Sequence, residues 1–174
     1  MIESIKNKRS IRKYKSKAVV KEAIAQILQA GMLAPSSKNC QPWKFVVATE
    51  SAKAEAVKQW KRNSVARKKS LLFRIAAHIS MGAEHTLRIM QQTPVLIFNV
   101  NTLAAPFNKE LSMVEQVSEI CNAQSIGAAI KNMTLEAAAQ VSDSCIGSAV
   151  CSRNDNRSTG WKMSAIFRSI ASIF

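Results

Sequence analysis

Two stretches of this chain carry polar side chains at spacings that could do chemistry. The first is Ala34-Pro35-Ser36-Ser37-Lys38-Asn39-Cys40-Gln41-Pro42-Trp43, which sets two hydroxyls and two amides between two prolines. Pro35 stops whatever helix precedes it and biases Ala34 toward extended backbone, and Pro42 does the same ahead of the apolar run from Trp43. Polar groups on a loop stiffened in this way can hydrogen-bond a flat, polar-edged ligand at little cost in ordering entropy. The same ten residues also suit a plain helix-to-strand connection. The second stretch is Lys8-Arg9-Ser10-Ile11-Arg12, whose two guanidiniums and hydroxyl could grip one phosphate through charge-assisted hydrogen bonds. A solvated basic arm has the same composition.

Other reactive types are poorly placed for chemistry. Cys40, Cys121, Cys145 and Cys151 show no Cys-x-x-Cys spacing, which argues for free thiols over a disulfide framework or zinc site. His78 and His85 lie near Glu84, but a metal site needs three or four convergent ligands, so no metal is assigned. There is no Gly-x-Gly-x-x-Gly or phosphate-loop motif, which argues against the usual dinucleotide and triphosphate folds.

The elements that must position the two stretches can be read from periodicity. Ile2 to Asn7 reads as a short helical turn leading into the basic cluster. From Val20 to Leu33 the positions Val20, Ala23, Ile24, Ile27, Leu28 and Gly31 mark an amphipathic helix that delivers the chain into the proline-bracketed loop. Trp43 to Thr49 reads as a buried strand and Ser51 to Lys61 as a helix. Arg62 to Ser70 reads as a mobile basic loop, and Leu71 to Met90 as helical or mixed. Pro94 to Val100 is a second strand, with Pro94 at its first residue, where a missing donor is tolerated. A loop around Pro106 follows. Ser118 to Val141 carries small and apolar residues every three or four positions, so a helix almost wholly buried is expected there, against another helix or its own copy in a second subunit, with Gly127 allowing close approach of two backbones. Cys145 to Cys151 suits a short third strand. Strands separated by helices make this an α/β or α+β sheet protein, and long helices alternating with few strands favour a mixed sheet.

Composition bounds the rest. The 174 residues suit one domain, nearly half of them are apolar, and no unbroken run reaches the roughly 18 apolar residues of a membrane span. With no signal-peptide h-region at Met1 to Lys6, a cytoplasmic protein is expected. A formal charge of +14, concentrated at the N-terminus and between Lys58 and Arg74, attracts anions. Nucleic acid is one candidate, though no basic-aromatic interleaving for base stacking is present.

Taken together, three stretches resemble the nitroreductase family of flavin mononucleotide (FMN) enzymes: the Lys8 to Arg12 cluster, the Ala34 to Trp43 loop, and Gln124-Ser125-Ile126-Gly127-Ala128-Ala129-Ile130-Lys131-Asn132-Met133. The resemblance covers residues 1 to 150 and implies an α/β/α sandwich with a mixed central sheet flanked by helices. It implies a homodimer with FMN at the interface and hydride transfer from NADH or NADPH, through the flavin, to a nitroaromatic, quinone or similar small acceptor. By this resemblance Lys8, Arg9, Ser10 and Arg12 hold the FMN phosphate and ribityl chain. Pro35, Ser36, Ser37 and Asn39 line the flavin bound mainly by the other subunit, and Cys145, Ile146 and Gly147 lie near its ring. No catalytic acid, base or nucleophile is required, since the flavin carries the redox chemistry.

The chain departs from the family after Val150. Residues 151 to 174 form an atypical tail of the same domain, with Trp161, Met163, Ile166, Phe167, Ile170 and Phe174 at roughly helical spacing, expected as a truncated or altered-frame ending. The competing readings are a degenerate flavin-fold protein without catalysis and a basic nucleic-acid-associated protein.

Overall fold

The computed structural model describes residues 1–8, 13–14, 18–68, 77–105, 110–140 and 147–152, and of 63–68, 77–83 and 147–152 the backbone alone. Six helices or helical turns and three strands follow one another in these residues: α1 (Glu3–Asn7), α2 (Lys21–Met32), a 3₁₀ turn (Ser37–Asn39), β1 (Trp43–Ala48), α3 (Glu50–Lys68), α4 (Ala77–Gln92), β2 (Leu96–Asn101), α5 (Met113–Gln140) and β3 (Gly147–Ser152).

The sheet is mixed and ordered β1-β2-β3. β1 runs antiparallel to β2, with Trp43 opposite Asn101 and Ala48 opposite Leu96. β3 runs parallel to β2, from Gly147 opposite Leu96 to Ser152 opposite Asn101. All six residues of β2 are buried, as its central place demands.

Side chains alternate across the pleat and feed two cores. Val46, Ala48, Leu96, Phe98 and Val100 meet Ala52 and Ala56 of α3 and Met90 of α4 on one face. Phe45, Val47 and Ile97 meet Ile27 of α2 and Met133 of α5 on the other. The result is a three-layer α/β/α sandwich, the expected fold class. Asn99 on β2 is only 1% exposed, and neither its Nδ2 nor its Oδ1 has a hydrogen-bond partner among the described residues.

α2 and α5 pack closely because α2 carries a glycine at the contact. A β-carbon on Gly31 would stand 2.7 Å from Met133 Cγ and 3.0 Å from Phe45 Cζ. α1 and the 3₁₀ turn also rest on α5, which makes that helix the platform for the proline-bracketed loop.

Several expectations are corrected. Arg62 to Lys68 is the last part of α3, not a loop, because lysine, arginine and alanine are good helix formers even where no apolar stripe continues. Strand β2 starts at Leu96, so Pro94 lies ahead of it, and Val20 caps α2 in solvent instead of joining its buried face. Helix α5 starts at Met113, five residues early, behind a capping box: Ser112 and Glu115 bond reciprocally, through Ser112 N–H to Glu115 Oε2 at 3.0 Å and Glu115 N–H to Ser112 Oγ at 3.4 Å. Within one chain α5 keeps one face open: Met113 is 80% exposed and Ile120 58%, and no described residue lies within 4 Å of a β-carbon built on Gly127, so the burial expected of this helix is not completed by the described residues of a single copy. The expected loop at Pro106, the Leu71 to Ala76 stretch and the tail beyond Ser152 lie outside the described residues.

Candidate functional site

The proline-bracketed loop is anchored at both ends. Ala34 and Pro42 are buried, while Pro35, Ser37, Lys38, Asn39, Cys40 and Gln41 are exposed and Ser36 is half-buried. The Pro42 carbonyl accepts two hydrogen bonds from Thr102, from N–H at 2.8 Å and from Oγ1 at 3.2 Å, which fastens the loop to the end of β2. Its middle is fastened to α5. Ser37 N–H donates to Ser125 Oγ at 3.2 Å, and Ser125 Oγ donates to the Cys121 carbonyl at 2.7 Å. The serine thus bonds back to its own helix and offers a lone pair to the loop.

Inside these anchors the backbone turns sharply. Asn39 N–H reaches the Ser36 carbonyl and Cys40 N–H the Ser37 carbonyl, each at 3.0 Å. Ser36 Oγ accepts from Gln41 N–H at 3.0 Å, and Gln41 Nε2 donates to Asn39 Oδ1 at 3.2 Å. Three residues adopt left-handed backbone: Lys38 (φ 51), Asn39 (φ 53) and Gln41 (φ 45). For residues with a β-carbon such conformations cost on the order of 1 kcal/mol each and persist where surrounding bonds fix them.

Donors remain after these bonds are counted. The Ser36 and Ser37 hydroxyl protons and the Asn39 Nδ2 group meet no partner among the described residues. They sit within four positions on one turn. This donor set suits the oxygen and nitrogen edge of a planar heterocycle, so the residues present fit a flavin ring.

The other expected site residues are placed less completely. Lys8 caps the C-terminus of α1, half-buried, with its N–H on the Ser4 carbonyl at 3.1 Å. Arg9, Ser10, Arg12, Cys145 and Ile146 lie outside the described residues. Gly147 opens β3 opposite Leu96, whereas the loop is clamped at the Asn101 end of β2. Five residues of strand, roughly 17 Å, separate those two ends. One chain therefore does not bring Gly147 and the loop together.

Ser125 and Thr102 were not singled out by sequence reasoning. A serine inside a helix of small residues, one turn after Cys121, carries a weak signal for back-bonding. Thr102 carries none, because its role depends on strand register. Glu84 and His85 are both exposed on α4, and among the described residues no group of three or more His, Cys, Asp or Glu could hold a metal ion. Cys40 and Cys121 are free thiols. Among the described residues no helix is long and apolar enough to cross a membrane.

Comparison with known proteins places this geometry among relatives. The Nitroreductase family model matches residues 5–157. A protein of Methanothermobacter thermautotrophicus, provisionally named NADH dehydrogenase/NAD(P)H nitroreductase, is 40% identical over 57 residues, a stretch covering 33% of this chain and 30% of the relative. An FMN-dependent nitroreductase from Clostridium difficile superposes with a TM-score of 0.50 at 25% identity, over 80% of this chain and 61% of that one. A nitroreductase with bound FMN from Bacteroides fragilis superposes with a TM-score of 0.54 at 22% identity, over 79% of this chain and 63% of that one. The chain thus spans less than two thirds of either solved structure and matches under a third of the archaeal relative.

Proposed function

The chain belongs to the nitroreductase family, and on that premise we propose that it is an FMN-dependent oxidoreductase. It takes reducing equivalents from NADH or NADPH and passes them to a nitroaromatic, a quinone or a similar small acceptor. The observation that carries this reading is the loop from Pro35 to Asn39, held rigid on α5 and β2 while the Ser36, Ser37 and Asn39 donors stay unused. Relatives with FMN in their names or bound in their structures support the cofactor.

When bound, the flavin supplies the hydride chemistry. The protein's own part is positional and electrostatic. Ser36, Ser37 and Asn39 donate to the ring edge, where fixed donors favour the reduced, electron-rich state without reorganisation. Pro35 stiffens their approach. Lys8, Arg9, Ser10 and Arg12 hold the phosphate, and Cys145, Ile146 and Gly147 close on the ring. Because the loop and Gly147 stand at opposite ends of β2, the complete site takes its loop from a second copy of the chain.

A homodimer is part of this reading. The outer face of α5, with Met113, Val114, Val117 and Ile120 exposed and Gly127 open, is the surface through which the copies meet. We assign residues 1–150 to the flavin-binding domain, with 151–174 as its tail, and the cytoplasm as the compartment that supplies NAD(P)H.

The test is spectroscopic. Purified protein is expected to be yellow, to release FMN on denaturation, and to bleach anaerobically with NADH or NADPH. Colourless protein that takes up no added FMN overturns the assignment, and salt-sensitive retention on DNA by such protein would favour a nucleic-acid role.

A further inference from the structure

Resting on the flavin reading above, we propose that Lys38 gives this site a preference for organic anions as electron acceptors, aromatic carboxylates in particular. Its place in the loop carries the inference. Lys38 stands between Ser37 and Asn39, whose donors meet no partner among the described residues, so a ligand that both residues bind lies within reach of the lysine side chain.

The residue type at this position is not explained by the backbone. With φ 51 and ψ 23, Lys38 is in the left-handed region, where glycine or asparagine is more stable than lysine. Its side chain is exposed and makes no hydrogen bond or ion pair with any described residue. The loop from Ala34 to Trp43 contains no aspartate or glutamate to neutralise it. Lysine is therefore held in a costly conformation where it serves no neighbour, and its peptide is fixed by the bonds of Ser37 to Ser125 and Cys40 to Ser37.

A cation so placed discriminates by charge. A neutral acceptor needs only the flavin and the loop donors, while a carboxylate gains an additional screened ion pair and electrostatic steering. The resemblance assigns the cofactor phosphate to Lys8, Arg9, Ser10 and Arg12, which leaves Lys38 for the second substrate.

The experiment uses the FMN-saturated protein and two acceptors of like shape, 4-nitrobenzoate and the neutral 4-nitrobenzamide, with Lys38→Asn and Lys38→Arg as variants. Lys38→Asn is expected to lower the benzoate-to-benzamide ratio of kcat/KM about three- to fivefold at low salt, mainly through KM, the upper range for an exposed ion pair. Lys38→Arg is expected to keep the ratio within about twofold, and high salt to narrow every difference. Lys38→Asn is also expected to raise Tm, since asparagine accepts left-handed backbone. An unchanged ratio in Lys38→Asn overturns the inference, as does a loss confined to KM for NADH or NADPH. Wild-type protein that binds no FMN overturns the flavin reading itself and this inference with it, an outcome distinct from an unchanged ratio in an active flavoprotein.

Discussion

On its inner face α5 buries Asn122, Ser125, Ile126, Ala129 and Met133 against α2, the 3₁₀ turn and β2, whereas its outer face leaves Met113, Val114, Val117 and Ile120 in solvent. Both faces carry apolar side chains, yet the described residues pack against only one. Two glycines mark the contrast: Gly31 of α2 presses on Met133 at the inner face with no room for a methyl group, while Gly127 on the outer face meets none of the described residues. A helix that is apolar all round is stable when all of it is buried. The inner face therefore belongs to folding, and the outer face is available for assembly. The loop that carries the candidate site hangs from the inner face through Ser125, so fold and site share one side of the helix.

Substitutions that separate the two faces test this division. The largest effect is expected at Met133→Ala, which empties a fully packed position and should lower unfolding free energy by about 2–5 kcal/mol in denaturant titration. A loss well under 1 kcal/mol would mean that the packing at the inner face does not hold the fold together. Next is Ile120→Lys on the outer face. It should leave the stability of the single chain within about 0.5 kcal/mol while weakening self-association by roughly 2–4 kcal/mol, read as a shift from dimer to monomer in sedimentation. An unchanged mass would break the comparison. The smallest effect is expected at Ser125→Ala, which removes the acceptor of Ser37 N–H and should cost about 1 kcal/mol of stability. It should also weaken FMN binding by roughly fivefold as the loop loses its fixed position, measured by flavin fluorescence.

Much of the fold was legible because burial imposes periods. The three-and-four spacing from Ala23 to Gly31 and the β-branched runs at Val46 and Ile97 gave α2, β1 and β2 within a few residues. Where burial was not the cause, reading failed. Residues Arg62 to Lys68 are helical through propensity, and their charge mimicked a loop. The start of α5 was written as Ser112-Met113-Val114-Glu115, a capping box, but periodicity alone finds only the buried middle of a helix. The loop's polar inventory was plain from its residue types. Its left-handed turns at Lys38 and Gln41 were not, because neither is a residue that favours positive φ. The tie from Ser37 to Ser125 spans 88 positions, and no local pattern encodes such a distance.

The pair of hydrogen bonds that Thr102 donates to the Pro42 carbonyl has a consequence for time as well as shape. Loops ordinarily release their amide protons first, through small local openings. The Thr102 amide lies just beyond β2, yet its proton is held by the residue preceding β1, so it can leave only when the paired ends of two strands part. The Ser37 amide is likewise tied to α5. In hydrogen exchange these two protons should outlast those of the surrounding surface, slow clocks set into the segment of the chain that looks most free to move.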